Sequence, residues 1–371
     1  MGNYVGHDVA KLGFGMMRLP MLDSGEIDIR QVEEMVDLFM REGFNYFDTA
    51  FGYLGGKSES AVGQAVVQRY PRDKFLLATK MPPWELKKPE DLQRVFDTQL
   101  QRTGAGYFDY YMLHALGKDS VKICDNVGAW AFIRDLKAKG LVRHIGCSFH
   151  DTADVLDEIL TKHPELDFVQ LQINYADWDD EDVQARLCYE TARKHGKAII
   201  VMEPVKGGSL GTFSGKALDM LKAVRPEASA ASWAMRYVAS LDGLITILSG
   251  MSTIEQMRDN CATIHKMEPI TEDDKKTLAE VLRLLNEIPT TPCTECNYCT
   301  ENCPANIPIP SIIDIENTRL TYENASKNSY AFATRGKGKA SDCIACGVCE
   351  ERCPQHIRIV ELLKACAGIY E

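Results

Sequence analysis

The sequence predicts an α/β protein with a parallel (β/α)8 barrel in residues 1–288 and a smaller, mostly helical domain in residues 289–371. Two observations carry this prediction. Up to residue 288, short apolar runs typical of strands alternate with amphipathic runs of helical period, which is the pattern of a parallel sheet. After the proline-rich segment Ile288–Pro292 the composition changes, and nine of the chain's thirteen cysteines follow, eight of them in two runs of equal spacing.

Eight strand candidates precede this boundary, and eight strand–helix units close a (β/α)8 barrel. An open doubly wound sheet is the alternative, and it would place a Gly-x-Gly-x-x-Gly turn after the first strand. The turn here, Gly13–Arg18, lacks the third glycine, so the barrel is favoured. In chain order the candidates are Lys11–Gly15, Phe44–Asp48, Phe75–Thr79, Phe108–Leu113, His144–Cys147, Phe168–Gln172, Ala198–Met202 and Leu244–Leu248.

Amphipathic helices are expected between these strands. Asp28 is the predicted N-cap of the first helix, because Gln31 follows three residues later at the start of an apolar stripe. Glu272–Glu287 has one apolar side, and Pro310–Tyr322 is a helix candidate in the second domain. Glycines stand where four helices should end, at Gly43, Gly104, Gly140 and Gly196.

The overall charge limits the classes of partner. A net charge of −11 disfavours nucleic acid and anionic membrane surfaces. No apolar run approaches the ~20 residues that span a bilayer, and the first residues lack the apolar core of a secretory signal. We therefore expect a soluble, cytoplasmic protein that binds neither nucleic acid nor membrane.

Two cysteine runs in the second domain share one spacing, Cys-x2-Cys-x2-Cys-x3-Cys-Pro. Bacterial ferredoxins hold two [4Fe–4S] clusters with this spacing, and the fourth cysteine of each run ligates the other cluster. Zinc is an alternative, but it needs only four ligands per site and would not require the Cys-Pro ending twice. Disulfides are the other alternative, and they are rare in a reducing cytosol. The spacing therefore predicts one cluster on Cys293, Cys296, Cys299 and Cys353, and a second on Cys343, Cys346, Cys349 and Cys303.

Polar side chains end successive strands of the predicted barrel. Asp48 ends the second strand, Lys80 follows the third and His114 follows the fourth, while Tyr53 comes five residues after Asp48. Catalytic groups of barrel enzymes sit at the C-terminal ends of the strands. Each residue alone has a structural explanation, as an N-cap, a packed aromatic or a structural histidine. Together they indicate a catalytic site.

The chain resembles the aldo-keto reductase superfamily over most of residues 10–265. The resemblance implies that Asp48, Tyr53, Lys80 and His114 form that family's catalytic tetrad. It also implies an NAD(P)H-dependent oxidoreductase that acts on a small carbonyl or alcohol substrate. The motifs that carry it are Asp48-Thr49-Ala50 with Tyr53, Ser58-Glu59 with Gly63, Lys80, Leu113-His114, Gly146-Cys147-Ser148, and Gln172 with Asn174-Tyr175.

Acid–base chemistry supports these roles. Hydride addition to a carbonyl leaves charge on its oxygen, so a proton donor is needed there. A free tyrosine has a pKa near ~10. Lys80 is expected to lower the pKa of Tyr53, and Asp48 to keep Lys80 charged. Tyr53 would then be the general acid, and His114 would hydrogen-bond the carbonyl oxygen.

The resemblance further implies the contacts of a nicotinamide cofactor. Ser148 and Gln172 match the residues that bind the carboxamide, although Phe149 stands where the family often has asparagine. Met202 matches the aromatic residue that stacks on the nicotinamide ring. The glycine-rich segment Lys206–Gly211 matches the loop over the pyrophosphate. The full set is Gly15, Met16, Asp48, Ser148, Gln172, Met202, Pro204, Gly208, Leu210, Ser249, Gly250, Gln256 and Asn260.

The segment Ser249–Asn260 matches the part of the family that grips the adenosine end of the cofactor. Relatives that prefer NADPH carry Lys or Arg here to pair with the 2′-phosphate, and this chain has only Arg258 nearby. NADH and NADPH therefore both remain candidates. Trp84, a few residues after Lys80, could line the substrate pocket or pack on the surface.

Two functions fit these features. Nicotinamide transfers two electrons as a hydride, a cluster transfers one, and no flavin motif is present to join them. In the first function, the chain is a carbonyl reductase or alcohol dehydrogenase with accessory clusters. In the second, it is an electron-transfer module whose clusters exchange electrons with a partner protein or a bound substrate. The basic stretch Arg335–Lys339, most often a solvated loop, could dock an acidic electron carrier. The complete tetrad favours the first function.

Overall fold

The computed structural model describes residues 2–4, 7–22, 24–293, 297, 299–300, 303–353 and 355–371, with the backbone alone for residues 2–4, 7 and 8. The chain divides into two compact units. The first comprises residues 1–207 and 231–270, and the second comprises residues 208–230 and 271–371.

Eight parallel strands of the first unit close into a barrel, in the order β10-β3-β4-β5-β6-β7-β8-β9. The predicted barrel is confirmed, and the doubly wound sheet is excluded because the sheet closes on itself. A short antiparallel hairpin, β1 (Gly2–Tyr4) with β2 (His7–Val9), precedes the barrel. The barrel strands are β3 (Leu12–Gly15), β4 (Tyr46–Asp48), β5 (Leu76–Met81), β6 (Phe108–Leu116), β7 (Val142–Phe149), β8 (Phe168–Gln172), β9 (Ala198–Met202) and β10 (Leu244–Ser249).

Helices connect the strands as their apolar periodicity predicts. The side chain of Asp28 accepts a hydrogen bond from the backbone N–H of Gln31, so the predicted cap of α1 is confirmed. Gly104 ends α3 with φ +67°, a conformation that glycine adopts readily. These helices are α1 (Ile29–Arg41), α2 (Lys57–Val62), α3 (Glu90–Thr103), α4 (Lys118–Val127), α5 (Ala129–Ala138), α6 (Ala153–Lys162), α7 (Ala185–Lys194), α8 (Gly215–Val224), α9 (Ala230–Ala239) and α10 (Ile254–His265).

Large apolar side chains fill the N-terminal half of the barrel interior. The rings of Tyr46 and Tyr110 lie 5.1 Å apart, and Phe168 packs edge-on against Tyr110. Met112 and Ile200 complete this layer, and all five side chains are fully buried. Because the filled end is closed, the polar residues at the other ends of the strands face the open mouth of the barrel.

The second unit is helical, and its described residues contain no β-strand. In it α8 packs against α11, whose N-terminus carries a capping box between Thr271 and Asp274. Ile312, Leu363 and Cys366 belong to a separate apolar core, over which the rings of Tyr330 and Tyr370 stack at 5.2 Å. The helices after α10 are α11 (Glu272–Asn286), α12 (Ile309–Tyr322), α13 (Lys327–Ala333), α14 (Val348–Glu351) and α15 (Ile359–Tyr370). Across the described part of the chain, we find no helix with the length and apolarity needed to cross a bilayer.

Candidate active site and cluster-binding region

The four predicted catalytic residues come together at the mouth of the barrel. Lys80 Nζ donates to Asp48 Oδ1 at 2.5 Å and to the carbonyl oxygen of Thr49 at 2.8 Å. The Lys80 ammonium also lies 4.7 Å from the centre of the Tyr53 ring. The His114 ring is 5.8 Å from Tyr53 and 5.1 Å from the exposed Trp84. A phenol, an ammonium and an imidazole therefore face one space.

Burial sets the protonation of this group. It raises the pKa of the Tyr53 phenol, and the Lys80 ammonium offsets the rise only in part. Lys80 thus lowers the pKa of Tyr53 as expected, but burial outweighs this effect, so the net pKa lies above the usual value of tyrosine. Burial opposes the charge on Lys80, but Asp48 and Tyr53 outweigh it, so the pKa of Lys80 is raised. Burial raises the pKa of the Asp48 carboxyl too. Asp48 Oδ1 lies 2.5 Å from Lys80 Nζ, so we take the pair as a carboxylate and an ammonium.

His114 is neutral at pH 7. Burial, together with the charges of Lys80 and His150, holds its pKa well below the usual 6.5. Its Nδ1 atom is buried without a hydrogen-bond partner in the described structure. A neutral imidazole carries one N–H group and can donate one hydrogen bond. His150, which follows β7, was missed by the sequence reasoning.

The Ser58-Glu59 motif supports the loop that carries Tyr53. The Ser58 hydroxyl donates to the carbonyl oxygen of Met16 at 2.7 Å. The buried Glu59 carboxylate accepts from Thr79, Gln99 and Arg102 at 2.8–3.1 Å. Because these groups are buried and satisfied, the motif is structural, and it holds the first turn of α2, which follows the turn Tyr53–Gly56.

Of the two residues predicted to bind the carboxamide, Ser148 offers a hydrogen-bond donor and Gln172 offers an acceptor. Ser148 Oγ accepts from the backbone N–H of Ala115 at 2.7 Å, so its hydroxyl hydrogen remains to donate. Gln172 Nε2 donates to Asp177 Oδ2 at 2.8 Å, so its Oε1 remains to accept. Strand pairing aligns Ser148 with Gln170, and Gln172, two residues on, points to the same side. A donor beside an acceptor is complementary to a primary carboxamide.

Asp177 was also missed by the sequence reasoning, which named Lys206 only as part of the glycine-rich segment. The Asp177 side chain is buried and ion-paired with Lys206, the first residue of the glycine-rich segment. Asp177 precedes Asp179 and Asp180, and such an acidic run normally indicates a solvated loop. The sequence signal that could have identified Asp177 is its position in the loop after a barrel strand, five residues after Gln172, the last residue of β8.

The other predicted cofactor residues of the first unit lie at or just after strand ends, or in α10. A Cβ atom at Gly15 would lie 3.4 Å from the carbonyl oxygen of Ser249. Asn260 Nδ2 donates to Ser249 Oγ at 2.7 Å, and the Gln256 side chain accepts from the N–H of Ser252 at 2.7 Å. Met202 is half-buried, with its sulfur 3.4 Å from Gln170 Nε2, whereas Met16 is fully buried in the core and Pro204 is also buried.

Arg18 and Glu203 add a pair of charges that the sequence reasoning did not single out. Arg18 follows β3, Glu203 follows β9, and their side chains lie 3.4 Å apart. Cβ atoms at Gly207 and Gly250 would meet the Arg18 side chain at 3.2 and 3.4 Å. Both glycines therefore allow this guanidinium to lie between the two segments that the resemblance assigns to the cofactor.

The predicted contacts Gly208 and Leu210 lie in the second unit. Gly208 has φ +101°, which side chains rarely adopt, and Leu210 is fully buried. Asn324 Nδ2 donates to Ser209 Oγ at 3.1 Å, and the Thr212 hydroxyl donates to the carbonyl oxygen of Tyr322 at 2.7 Å. The glycine-rich loop is thus anchored to the residues at the end of α12.

The four cysteines predicted to hold the second cluster line one cavity in the second unit. Apolar side chains, among them Ile307, Ile309, Val360 and Leu363, form the rest of its wall. Thiolates in an apolar shell suit an iron–sulfur cluster, so the residues present fit that group. Among the described residues, no three His, Cys, Asp or Glu side chains converge on a point that would hold a single metal ion. The cysteines that line the cavity are Cys303, Cys343, Cys346 and Cys349.

The cysteines predicted for the first cluster are described in part. Cys299 is buried, Cys293 and Cys353 are half-buried, and all three pack against the apolar core of the second unit. Cys296 lies outside the described residues. The structure thus brings the second predicted ligand set together and leaves the first as a prediction.

Comparison with known proteins identifies both parts of the chain. A family model described as "Aldo/keto reductase family" matches residues 11–283, and one described as "4Fe-4S dicluster domain" matches residues 292–357. The chain is 29% identical over 287 residues to the NADH-specific methylglyoxal reductase of Escherichia coli (strain K12), covering 65% of this chain and 85% of that protein. It is 23% identical over 310 residues to L-galactose dehydrogenase of Arabidopsis thaliana, covering 78% and 94%.

Solved aldo-keto reductases share the fold. The enzyme from Klebsiella pneumoniae in complex with NADPH aligns with a TM-score of 0.58 at 21% identity, over 74% of this chain and 91% of that one. The holo form of an aldo-keto reductase from Bacillus halodurans aligns with a TM-score of 0.58 at 24% identity, over 74% and 93%. At this level of identity, the likeness supports the barrel fold.

Proposed function

Because the chain belongs to the aldo/keto reductase family, we propose that it is an NAD(P)H-dependent oxidoreductase that reduces a carbonyl group, or oxidises an alcohol, with Tyr53 as the general acid. The observation that carries the proposal is the convergence of Tyr53, Lys80 and His114 at one barrel mouth. The donor–acceptor pair of Ser148 and Gln172 at the same mouth supports a carboxamide-bearing cofactor.

The proposed chemistry divides a two-electron reduction between hydride and proton. A reduced nicotinamide bound at the mouth would supply the hydride. Tyr53 gives its phenolic proton to the carbonyl oxygen, and the resulting phenolate is stabilised by the Lys80 ammonium, which Asp48 holds in place. The neutral imidazole of His114 donates a hydrogen bond to the same oxygen and so orients the substrate. Alcohol oxidation runs through the same groups in reverse.

Two named relatives guide the choice of substrates. The Escherichia coli relative is a methylglyoxal reductase, so α-oxo aldehydes are the first carbonyl compounds to test. The Arabidopsis thaliana relative is a dehydrogenase of a sugar, so sugar lactols belong in the oxidation panel. NADH and NADPH are both tested, because Gln256 is bound to the backbone of Ser252 and Arg258 is the only cation in its segment.

We propose that the second unit holds two [4Fe–4S] clusters by cross-ligation. The cavity lined by Cys303 together with Cys343, Cys346 and Cys349 supports this assignment, since Cys303 belongs to the other run. A bound cluster would accept or release one electron at a time. That property supports a second candidate function, electron exchange with a carrier protein, for which the basic stretch 335–339 is the candidate docking segment.

The decisive experiment is anaerobic turnover of a carbonyl panel with each nicotinamide by wild-type protein and the Tyr53→Phe variant. We expect the variant to lose at least about a hundredfold in turnover, because proton donation contributes that much. Tyr107→Phe is the matched control, since Tyr107 lies at the opposite end of the barrel, where it contacts Arg143. Turnover that survives Tyr53→Phe would remove the assigned acid.

A spectroscopic test separates the two candidate functions. Anaerobic wild-type protein is mixed with NADH or NADPH, without a carbonyl substrate, while cluster absorbance is followed. Absorbance that stays constant in protein that turns over carbonyl compounds in a parallel assay supports accessory clusters. Bleaching on the timescale of turnover favours the electron-transfer function.

A further inference from the structure

We propose that Asp177 is a positioning residue that makes the candidate site selective for a primary carboxamide, by fixing which end of the Gln172 side-chain amide faces the barrel mouth. This inference rests on the proposed function, because it assumes that a nicotinamide binds beside Ser148 and Gln172. It goes beyond that function because Asp177 is not one of the residues predicted to contact the cofactor or the substrate.

Asp177 is 1% exposed, and three side chains donate hydrogen bonds to its two carboxylate oxygens. Oδ2 accepts from Gln172 Nε2 at 2.8 Å and from Asn174 Nδ2 at 2.7 Å. Oδ1 accepts from the ammonium of Lys206. An ionised carboxylate only accepts hydrogen bonds, so each neighbouring amide must turn its NH2 group towards it.

The orientation of Asn174 is fixed independently of the Asp177 side chain. Its Oδ1 accepts from the backbone N–H groups of Ala176 and Asp177 at 3.0 and 2.9 Å. Its Nδ2 also donates to the carbonyl oxygen of Glu203 at 3.1 Å. Asn174 therefore cannot reverse its amide without losing three hydrogen bonds to the backbone. Its NH2 group thus holds the Asp177 carboxylate in place.

Gln172 has no comparable backbone contacts, so Asp177 alone decides its orientation. With Nε2 held by the carboxylate, Oε1 is the end of the amide left to face the mouth, where Gln172 is half-buried. An acceptor at this position binds the NH2 group of a carboxamide, while the Ser148 hydroxyl donates to its carbonyl oxygen. A 3-acetylpyridine ring, which has CH3 in place of NH2, keeps the second contact and loses the first.

The substitution Asp177→Asn should reverse this preference. The Lys206 ammonium needs an oxygen, so the introduced amide would turn its oxygen to Lys206 and its NH2 to Gln172. The hydrogen bond from Asn174 Nδ2 would be lost, because the Asn174 amide cannot reverse. Gln172 would then rotate to present Oε1 to that NH2, which places its own NH2 at the mouth. The NH2 group of Gln172 and the hydroxyl of Ser148 would then both present donors to the carboxamide. The NH2 group of the carboxamide would have no acceptor, which would cancel the preference for it.

The test is the ratio of two dissociation constants, measured by calorimetry on the anaerobic holoprotein. The ligands are the nicotinamide dinucleotide that wild-type protein binds more tightly and its 3-acetylpyridine analogue, both reduced. We expect wild-type protein to favour the carboxamide by roughly tenfold, the worth of one hydrogen bond in a shielded site. Asp177→Asn should bring the ratio close to one, and Gln172→Met should do the same. Asp177→Asn should then have no further effect on the ratio in the Gln172→Met background.

Asp179→Asn is the matched control. It is the same chemical change two residues away, on a side chain that is 70% exposed and paired with Arg186. This control should keep the wild-type ratio.

Three outcomes overturn the inference. A purely structural role would weaken both ligands equally in Asp177→Asn and leave the ratio unchanged. A ratio of the two dissociation constants near one in wild-type protein would show that no acceptor faces the mouth. This measurement does not depend on whether a variant folds. Wild-type protein that binds neither dinucleotide would overturn the proposed function and this inference together, whereas a failure confined to the ratio leaves the proposed function intact.

Discussion

The ammonium of Lys80 and the carboxylate of Asp48 form an ion pair that is almost completely shielded from solvent, with side-chain exposures of 0% and 3%. A buried pair of this kind is strongly destabilised when one partner is removed, because the other charge is left without compensation. The pair therefore links the stability of the barrel to the chemistry proposed for its mouth.

Asp48→Asn should lower both stability and activity. The amide keeps the shape of the side chain but removes the negative charge, so the pKa of Lys80 should fall and the phenolate of Tyr53 should lose its stabilising ammonium. We expect a loss of about 3 kcal/mol in the free energy of unfolding, measured with urea under anaerobic conditions. Carbonyl turnover should fall at least about tenfold.

Asp73→Asn is the control for this change, since its side chain is 76% exposed and 3.9 Å from Lys74. It should leave both quantities unchanged, as is usual for exposed pairs. Equal unfolding free energies for Asp48→Asn and wild-type protein would contradict the view that the buried pair is ionised.

The raised pKa of Tyr53 predicts opposite pH dependence for the two directions of the reaction. Carbonyl reduction needs the neutral phenol, which persists to a higher pH when the pKa is raised. The kcat/KM for reduction should therefore stay flat from pH 7 to about pH 9, below even the usual pKa of tyrosine. Alcohol oxidation needs the phenolate, so its kcat/KM should still be rising at the upper end of that range.

The measurement is kcat/KM against pH in both directions, with saturating cofactor. A fall in reduction with a midpoint near pH 8 would show that Lys80 lowers the pKa of Tyr53 below its usual value. Tyr53 would then titrate as the sequence reasoning expected, against the effect of burial.

The barrel was predictable because buried parallel strands are short, nearly continuous apolar runs. Each of the eight strand candidates became a strand, with boundaries within three residues of those expected. The hairpin of β1 and β2 was not foreseen, since strands of three residues give no usable alternation. The grouping of α8 with α11 was also not foreseen, because it joins helices that are distant in sequence.

The candidate site was predictable where its residues end strands, and not where loops fold back. Asp48, Lys80 and His114 could be placed because a strand carries each of them to the mouth. Asp177 depends on the fold of the loop after β8, which buries one carboxylate of an acidic run and leaves Asp179 exposed. The net direction of the Tyr53 pKa depends on the depth of burial, which no spacing of residues records.

Cross-ligation of the clusters predicts which cysteine variants behave alike. Cys303 and Cys349 come from different runs but line one cavity. Cys303→Ser and Cys349→Ser should therefore disturb the same cluster and give similar changes in iron and sulfide content and in the electron paramagnetic resonance spectrum. The double variant should resemble either single variant.

Cys366→Ala is the control within the same unit, because this buried thiol belongs to the apolar core and has its pKa raised to about 12 by burial. Iron content should remain at the wild-type level. Loss of separate clusters in Cys303→Ser and Cys349→Ser, with additive effects in the double variant, would rule out cross-ligation.

Gly338 links the basic stretch 335–339 to the turn after Cys303. Its N–H donates to the carbonyl oxygen of Asn306 at 3.1 Å, and any Cβ atom at this position would overlap the carbonyl oxygen of Ala305. Gly338→Ala must therefore displace that turn, with an expected loss of about 1–3 kcal/mol in the free energy of unfolding. Because this turn begins at Cys303, iron should also be released faster to a chelator.

Gly368→Ala is the matched control, since no atom lies within 4 Å of a Cβ built there and the residue is inside α15. Alanine in a helix interior should raise stability by roughly 0.5–1 kcal/mol and leave iron release unchanged. If Gly338→Ala lowers stability as expected but iron release stays at the wild-type rate, then the turn after Cys303 does not control cluster retention. The close approach of Gly338 to Ala305 would in that case serve packing alone.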